Sequence, residues 1–319
     1  MSQTTPPSPT HDAAGLRTIT AGELQQLWGG AFSPRLLQRI ADLGLQYRPL
    51  SGPERDDALL KIVNAVCDPP PAAGAHRLAQ WERGWGENLQ AFMQTRSLEA
   101  VIPRYFGKHQ VVRWRGELVQ PVTPAFEFHI LTLLVEWALE NYLSEAGTLC
   151  ELGCGPGYHL LRARPLFPDK PLVGLDWAES SQALLAQVVQ AGAAANLRGH
   201  RFNFFEPDEQ LPIGPDWGLY SVAALEQVGE RHEALLQYLL RKRPRICVHL
   251  EPLDEVLNPA CLLDRLSILY ARRRNYLRGL VPRLRELEQA GRLRILAVQR
   301  TWTGSLFIEG HSLLVWTPV

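Results

Sequence analysis

Apolar residues recur at three- and four-residue spacing along the front of the chain, over 21–27, 33–43, 54–66, 75–94 and 126–143. Each of these stretches predicts an amphipathic helix. Ser33-Pro34 supplies a capping hydroxyl followed by a first-turn proline, and Ser51-Gly-Pro-Glu54 reads as a second helix entry. Asp68-Pro-Pro-Pro71 interrupts the periodicity as a loop, and residues 110–119 alternate about Arg115-Gly116 as a small hairpin. The front section, 18–145, is therefore expected to be mainly helical.

Near Ser144-Glu-Ala-Gly147 the pattern changes to short apolar runs separated by helical stretches. Strands are predicted over 148–152, 171–176, 200–205, 217–223 and 246–250, with helices over 158–166, 180–194 and 230–240 between them. A single long arginine-rich helix is expected over 260–290, followed by strands at 294–299 and 312–317. Short apolar strands alternating with helices specify a parallel sheet covered on both faces. The expected fold is α/β, a doubly wound, mostly parallel seven-stranded sheet over 146–319 behind the helical section.

The first strand runs into Glu151-Leu-Gly-Cys-Gly-Pro-Gly157. In a doubly wound sheet this strand–helix turn is the usual ligand site. Gly153, Gly155 and Gly157 let the backbone bend sharply and approach a ligand closely. A dinucleotide fingerprint would instead read Gly-x-Gly-x-x-Gly and set a pyrophosphate on the helix start. Here the carboxylate of Glu151 beside the turn suits a cationic nucleoside better than a diphosphate. Asp176, ending the second strand, can accept hydrogen bonds from two vicinal ribose hydroxyls. Asn203, in Arg201-Phe-Asn-Phe-Phe205, is the candidate for an adenine edge.

With those residues in view, segment 148–251 resembles the core of the class I S-adenosylmethionine-dependent methyltransferases, which share a Rossmann-like sheet. Their acidic residue and Gly-x-Gly-x-Gly are matched by Glu151 and the three glycines, and their second acidic residue by Asp176. The resemblance implies S-adenosylmethionine as cofactor, Glu151 and the turn near its methionine part, and Asp176 on its ribose. It also implies an antiparallel last strand, which 294–317 fits. The chain departs from the family in carrying Asn203 where Asp is frequent, and Glu226-Gln227 where Glu-His is frequent.

Methyl transfer needs an aligned nucleophile and, for an acceptor that must lose a proton, a base. His249 and Glu251 stand two apart at the end of the fifth strand and so share a face; they are the catalytic candidates. His159, His311 and His129 follow. Tyr105, Phe106, Trp114, Phe126 and Phe128 are candidates to line an acceptor pocket or to fill the core. Arg265, Arg272, Arg273, Arg274, Arg278, Arg283 and Arg285 form either an anion-binding face or a solvated one.

Composition narrows the acceptor. The 319 residues carry 33 basic and 33 acidic side chains, a formal net charge of zero, which gives no general attraction to nucleic acid or an anionic membrane. No apolar run is long enough to span a bilayer. Five scattered cysteines indicate neither a disulfide framework nor a metal site, and so a reducing, cytoplasmic setting. The polar, Pro-rich start, 1–17, reads as a disordered tail. The expected activity is methylation of an oxygen or nitrogen of a small metabolite or natural product. Alternatives are a protein or peptide methyltransferase and a non-catalytic binding module. A nicotinamide oxidoreductase is disfavoured by the glycine spacing.

Overall fold

A computed structural model describes residues 15–319, so most of the expected tail lies outside the described residues. The front section forms β1 (Arg17–Thr18), α1 (Ala21–Trp28), α2 (Pro34–Leu43), β2 (Gln46–Pro49), α3 (Gly52–Cys67), α4 (Leu78–Thr95), β3 (Val112–Trp114), β4 (Glu117–Pro121) and α5 (Phe126–Tyr142). The sheet section follows with β5 (Thr148–Leu152), α6 (Tyr158–Ala163), β6 (Leu172–Asp176), α7 (Glu179–Gln190), β7 (Leu197–Arg201), β8 (Trp217–Val222), α8 (Glu233–Lys242) and β9 (Ile246–Glu251). It ends with α9 (Leu262–Arg273), α10 (Leu280–Gln289), β10 (Leu293–Gln299), β11 (Thr303–Gly304) and β12 (Ser312–Pro318).

The large sheet has the order β10-β12-β9-β8-β5-β6-β7. Strands β5 to β9 pair in parallel, and β12 is antiparallel to both of its neighbours, β9 and β10. This Rossmann-like arrangement with one reversed strand is the architecture implied by the methyltransferase resemblance. Alternate residues feed opposite cores. Leu149, Leu172, Val248 and Leu313 pack with α5, α6 and α7, whereas Cys150, Val173, Cys247 and Leu314 pack with α8 and α10. Both faces being covered explains why these strands are apolar throughout.

The front section is helical as expected and also builds a second, antiparallel sheet in the order β1-β2-β4-β3-β11. Its last strand comes from the far end of the chain, with Thr303 opposite Trp114. Arg113 strengthens the same junction: its buried guanidinium donates to the carbonyls of Leu263, Leu306 and Phe307. On the other side the Glu82 carboxylate of α4 accepts from the backbone N–H groups of Glu179 and Ser180, both at 2.8 Å. Glu82 thus caps the N-terminus of α7 and holds α4 against the sheet edge.

Two expectations need correction. The third strand is Leu197–Arg201 rather than 200–205, so Asn203 stands in the turn beyond it. The arginine-rich stretch is two helices, α9 and α10, because Asn275 (φ 53°) and Gly279 (φ 75°) take left-handed conformations that end one helix and start the next. Among the described residues no helix is long and apolar enough to cross a membrane.

Candidate functional site

At the carboxyl end of β5 the chain enters the glycine turn. Gly153, Gly155 and Gly157 all have positive φ, at 71°, 51° and 81°. A Cβ on Gly153 would stand 2.4 Å from the Cβ of Ala224, and one on Gly155 would stand 2.8 Å from the Trp85 ring. Backbone conformation and space therefore both exclude side chains here. Asp176 organises the turn: Oδ2 accepts from Gly155 N–H and Oδ1 from Ala178 N–H, each at 2.9 Å. A carboxylate offers about four lone pairs, so two acceptor positions remain.

The turn opens on a cavity of about 820 Å³, lined by Glu151, Gly153, Gly155, Asp176 and Trp177 on the sheet side and by Arg77, Trp81, Trp85 and Tyr105 from the front section. Phe202, Phe204 and Phe205 also line it. Trp81 and Trp85 stack on one another at 5.4 Å. A volume of this size is within the range of small-molecule sites.

The lining is rich in carboxyl groups removed from bulk water. Burial pushes Asp176 up to about 6, Glu127 to about 7 and Glu226 to about 8. Burial also raises Glu151 well above the usual carboxylate range, although Tyr220 donates its hydroxyl to it. A cationic ligand beside the glycine turn would favour the ionised forms of Asp176 and Glu151.

His249 and Glu251 are not brought to this cavity. They share a face of β9, as their spacing requires, but each is spent inside the sheet. The Trp316 indole donates to His249 Nε2 at 3.0 Å. That makes Nδ1 the protonated nitrogen of a neutral ring, which donates to Ser221 Oγ at 2.9 Å. Ser221 in turn donates to Glu251 Oε1 at 2.7 Å. Glu251 also accepts from the N–H groups of Ala224, Leu225 and Glu226. It caps the single helical turn at Leu225–Val228 and so positions Glu226. Burial lowers His249 to about 3, which removes the basicity that catalysis would need.

Asn203 is likewise engaged locally: its Oδ1 accepts from Phe205 N–H at 3.0 Å, and the phenylalanines around it face the cavity in its place. Of the other candidates, His159 and His311 line the cavity and His129 does not. Nδ1 of His159 and Nδ1 of His311 lack hydrogen-bond partners, and burial lowers the two rings to about 3 and about 4. Tyr105 and Phe106 line the cavity, whereas Trp114, Phe126 and Phe128 are core.

Sequence patterns did not single out Arg77, Trp81, Trp85, Glu127 or Tyr276 as cavity residues. Their elements read as ordinary amphipathic segments, and only the tertiary packing turns these side chains inward. For Arg274 a signal existed. It closes the run Arg272-Arg273-Arg274 immediately before the break between α9 and α10, where the chain rotates it away from the exposed face of its neighbours.

No family model matches the chain, and no curated protein matches it. Several solved structures are similar at low identity. The [4+2]-cyclase SpnF is 13% identical with a TM-score of 0.47, over 78% of this chain and 97% of its own. Geranyl diphosphate C-methyltransferase from Streptomyces coelicolor A3(2), in complex with Mg2+, geranyl diphosphate and S-adenosyl-L-homocysteine, is 12% identical with a TM-score of 0.45 (74% and 98% covered). The O-methyltransferase NcsB1 from neocarzinostatin biosynthesis, in complex with S-adenosylmethionine and 2-hydroxy-5-methyl naphthoic acid, is 16% identical with a TM-score of 0.41 (76% and 70% covered). Identities of this size concern the fold, and the activity must be argued from the site.

Proposed function

We propose that the chain transfers the methyl group of S-adenosylmethionine to an oxygen or nitrogen of a small molecule held in the same cavity. In this reading 146–319 binds the cofactor and 18–145 covers the acceptor. The observation that carries it is the convergence on one cavity of a side-chain-free turn, Asp176 with spare acceptor positions, and the buried carboxyl of Glu151. A diphosphate would meet like charge at Glu151 and Asp176, whereas a sulfonium nucleoside meets opposite charge. The residues present therefore fit this cofactor: Gly153 and Gly155 leave room for it, Asp176 accepts from ribose, and Trp177, Phe204 and Phe205 offer apolar faces to a purine.

When bound, the cofactor supplies an electrophilic methyl group with a good leaving group behind it. The protein orients the acceptor, excludes water and takes up a proton. Orientation is the largest contribution, roughly 7–11 kcal/mol in well-aligned reactions. Glu127, held near 7 by burial, is the carboxyl best matched to proton removal around neutral pH. His159 and His311 are too weakly basic for that role and offer neutral rings with an unpartnered Nδ1 to the cavity.

The binding test uses pH. Carboxyls raised in the folded protein contribute stability that is present below their unfolded pKa and is lost as pH rises through the folded one. For Asp176 and Glu127 that loss extends from about 4 to about 7. A bound cation reverses it, so the rise in melting temperature on adding S-adenosylmethionine should grow between about pH 5 and pH 7. Calorimetry should show binding of S-adenosylmethionine and S-adenosylhomocysteine. Tighter binding of NAD would sink the reading.

His249→Phe separates a structural from a chemical role. It strands the Trp316 indole and removes the donor to Ser221, whose hydroxyl keeps its bond to Glu251, and stability should fall by roughly 1–3 kcal/mol. Affinity for S-adenosylhomocysteine should stay within about threefold, because the residue lies off the cavity. A large loss of affinity with unchanged stability would return His249 to the site.

A further inference from the structure

The cavity has a cationic region that the cofactor reading does not use. Arg274 is 7% exposed and lines the cavity. Its Nη1 donates to Tyr270 Oη at 3.1 Å and its Nε has no hydrogen-bond partner; it forms no ion pair among the described residues, although Glu226 lies close enough to interact with it. Its guanidinium is instead flanked by the rings of Tyr270 and Tyr276, at 5.8 and 5.1 Å. Arg77, also on the cavity and without an ion pair among the described residues, lies over Trp81 at 5.1 Å and donates to Gln227 Oε1. Burial and then the nearby Arg274 lower the pKa of Arg77, with Tyr276, Glu226 and Tyr270 acting the other way.

A buried guanidinium with no ion pair is costly, and a ligand anion would offset that cost. Guanidinium groups are also the side chains best shaped to grip a carboxylate or phosphate. We infer that the acceptor carries a carboxylate or phosphate bound between Arg274 and Arg77, on an apolar or aromatic body that packs against Trp81, Tyr270, Tyr276 and Phe307. The inference rests on the methyl-transfer reading for the word acceptor, while the anion site itself stands on the arginines.

Glu226 fits this arrangement. Gln227 donates to its Oε1 at 2.8 Å, and burial keeps the group largely protonated at neutral pH, at about 8. It can then donate to an anion instead of repelling it. Gln227 thereby links Arg77 to Glu226, which gives a local reason for Gln at this position.

The test measures binding of benzoate, phenyl phosphate and neutral benzamide to the full-length protein, with and without saturating S-adenosylhomocysteine. At least one anion should bind about tenfold or more tightly than benzamide, and Arg274→Met should remove that preference. Arg77→Met should weaken it too, and covers the case in which the Arg274 variant does not fold. Affinity for S-adenosylhomocysteine should be retained in both variants. Preference for benzoate identifies a carboxylate acceptor, and preference for phenyl phosphate a phosphorylated one. Equal binding of benzamide, binding of neither anion, or an unchanged preference in a folded Arg274 or Arg77 variant overturns the inference. If S-adenosylhomocysteine fails to bind while the anion preference persists, the cofactor reading falls and the anion site stands.

Discussion

Asp176→Ala is expected to lower affinity for S-adenosylhomocysteine by roughly two to four powers of ten, from the loss of two hydrogen bonds to a charged acceptor at ~1.5–3 kcal/mol each. The carboxylate has two duties here. It holds Gly155 N–H and Ala178 N–H, each at 2.9 Å, and so fixes the turn on one side and the entry to α7 on the other. Its remaining lone pairs are the only part available to ribose. The substitution therefore removes a ligand contact and loosens the turn that presents it. Asp176→Asn separates these duties. An amide keeps one carbonyl oxygen but turns an NH2 toward a backbone donor, so it should cost less than Ala at the turn and nearly as much at the ribose. Calorimetry on both variants, with thermal melts to confirm folding, is the measurement. An Ala variant that binds S-adenosylhomocysteine like the parent would show that Asp176 serves the turn alone.

The sheet was legible because each of its central strands is a short apolar run, and the glycine turn because positive φ leaves few alternatives to glycine. The edge strand β7 was not. Leu197-Arg-Gly-His-Arg201 is polar and half exposed, so the apolar Phe202–Phe205 that follows looked more like a strand than the strand itself. The same displacement drew attention to Asn203, whose side chain closes its own turn. At β9 the period-two argument paired His249 with Glu251 correctly, since both reach Ser221. What a lone sequence could not say was which face of a doubly covered sheet they would occupy. Both faces of β9 are buried, so burial cannot tell cavity from core. The cavity wall supplied by Arg77, Trp81 and Trp85 depends on α4 docking through Glu82 onto α7, a contact between residues almost a hundred positions apart. No local pattern announces that.

Glu136 lies far from the chemistry, yet Glu136→Ala should be among the most damaging single changes in the chain. Its side chain is fully buried in the middle of α5, a position where the helix is otherwise apolar on nearly every side. Three guanidiniums converge on it: Arg35 at 3.5 Å and Arg39 at 3.4 Å from α2, and Arg162 from α6, whose Nε donates at 2.8 Å. Removing one partner of a fully buried charge pair costs ~3–5 kcal/mol. The arginines here are about a quarter to a third exposed, so the expected loss is at the lower end, about 3 kcal/mol. Here three cations would be left facing one another. In a domain of this size such a loss corresponds to a fall in melting temperature of roughly 5–15 °C. Glu140, one turn along the same helix, accepts a hydrogen bond from Ser33 Oγ at the partly exposed edge. Its replacement by Ala should cost about 1.5 kcal/mol, the lower end for a hydrogen bond to a charged acceptor, because the pair is only partly buried. Denaturant midpoints for the two variants provide the contrast. A Glu136 loss no larger than that of Glu140 would mean that the three arginines are solvated well enough to need no common partner. The expected larger loss would also reach the site, since Arg162 sits on α6, the helix that leaves the glycine turn. A loosened α6 should weaken cofactor affinity in proportion to the lost stability, whereas Asp176→Asn, which keeps one of the turn's acceptors, should weaken it with a smaller change in melting temperature.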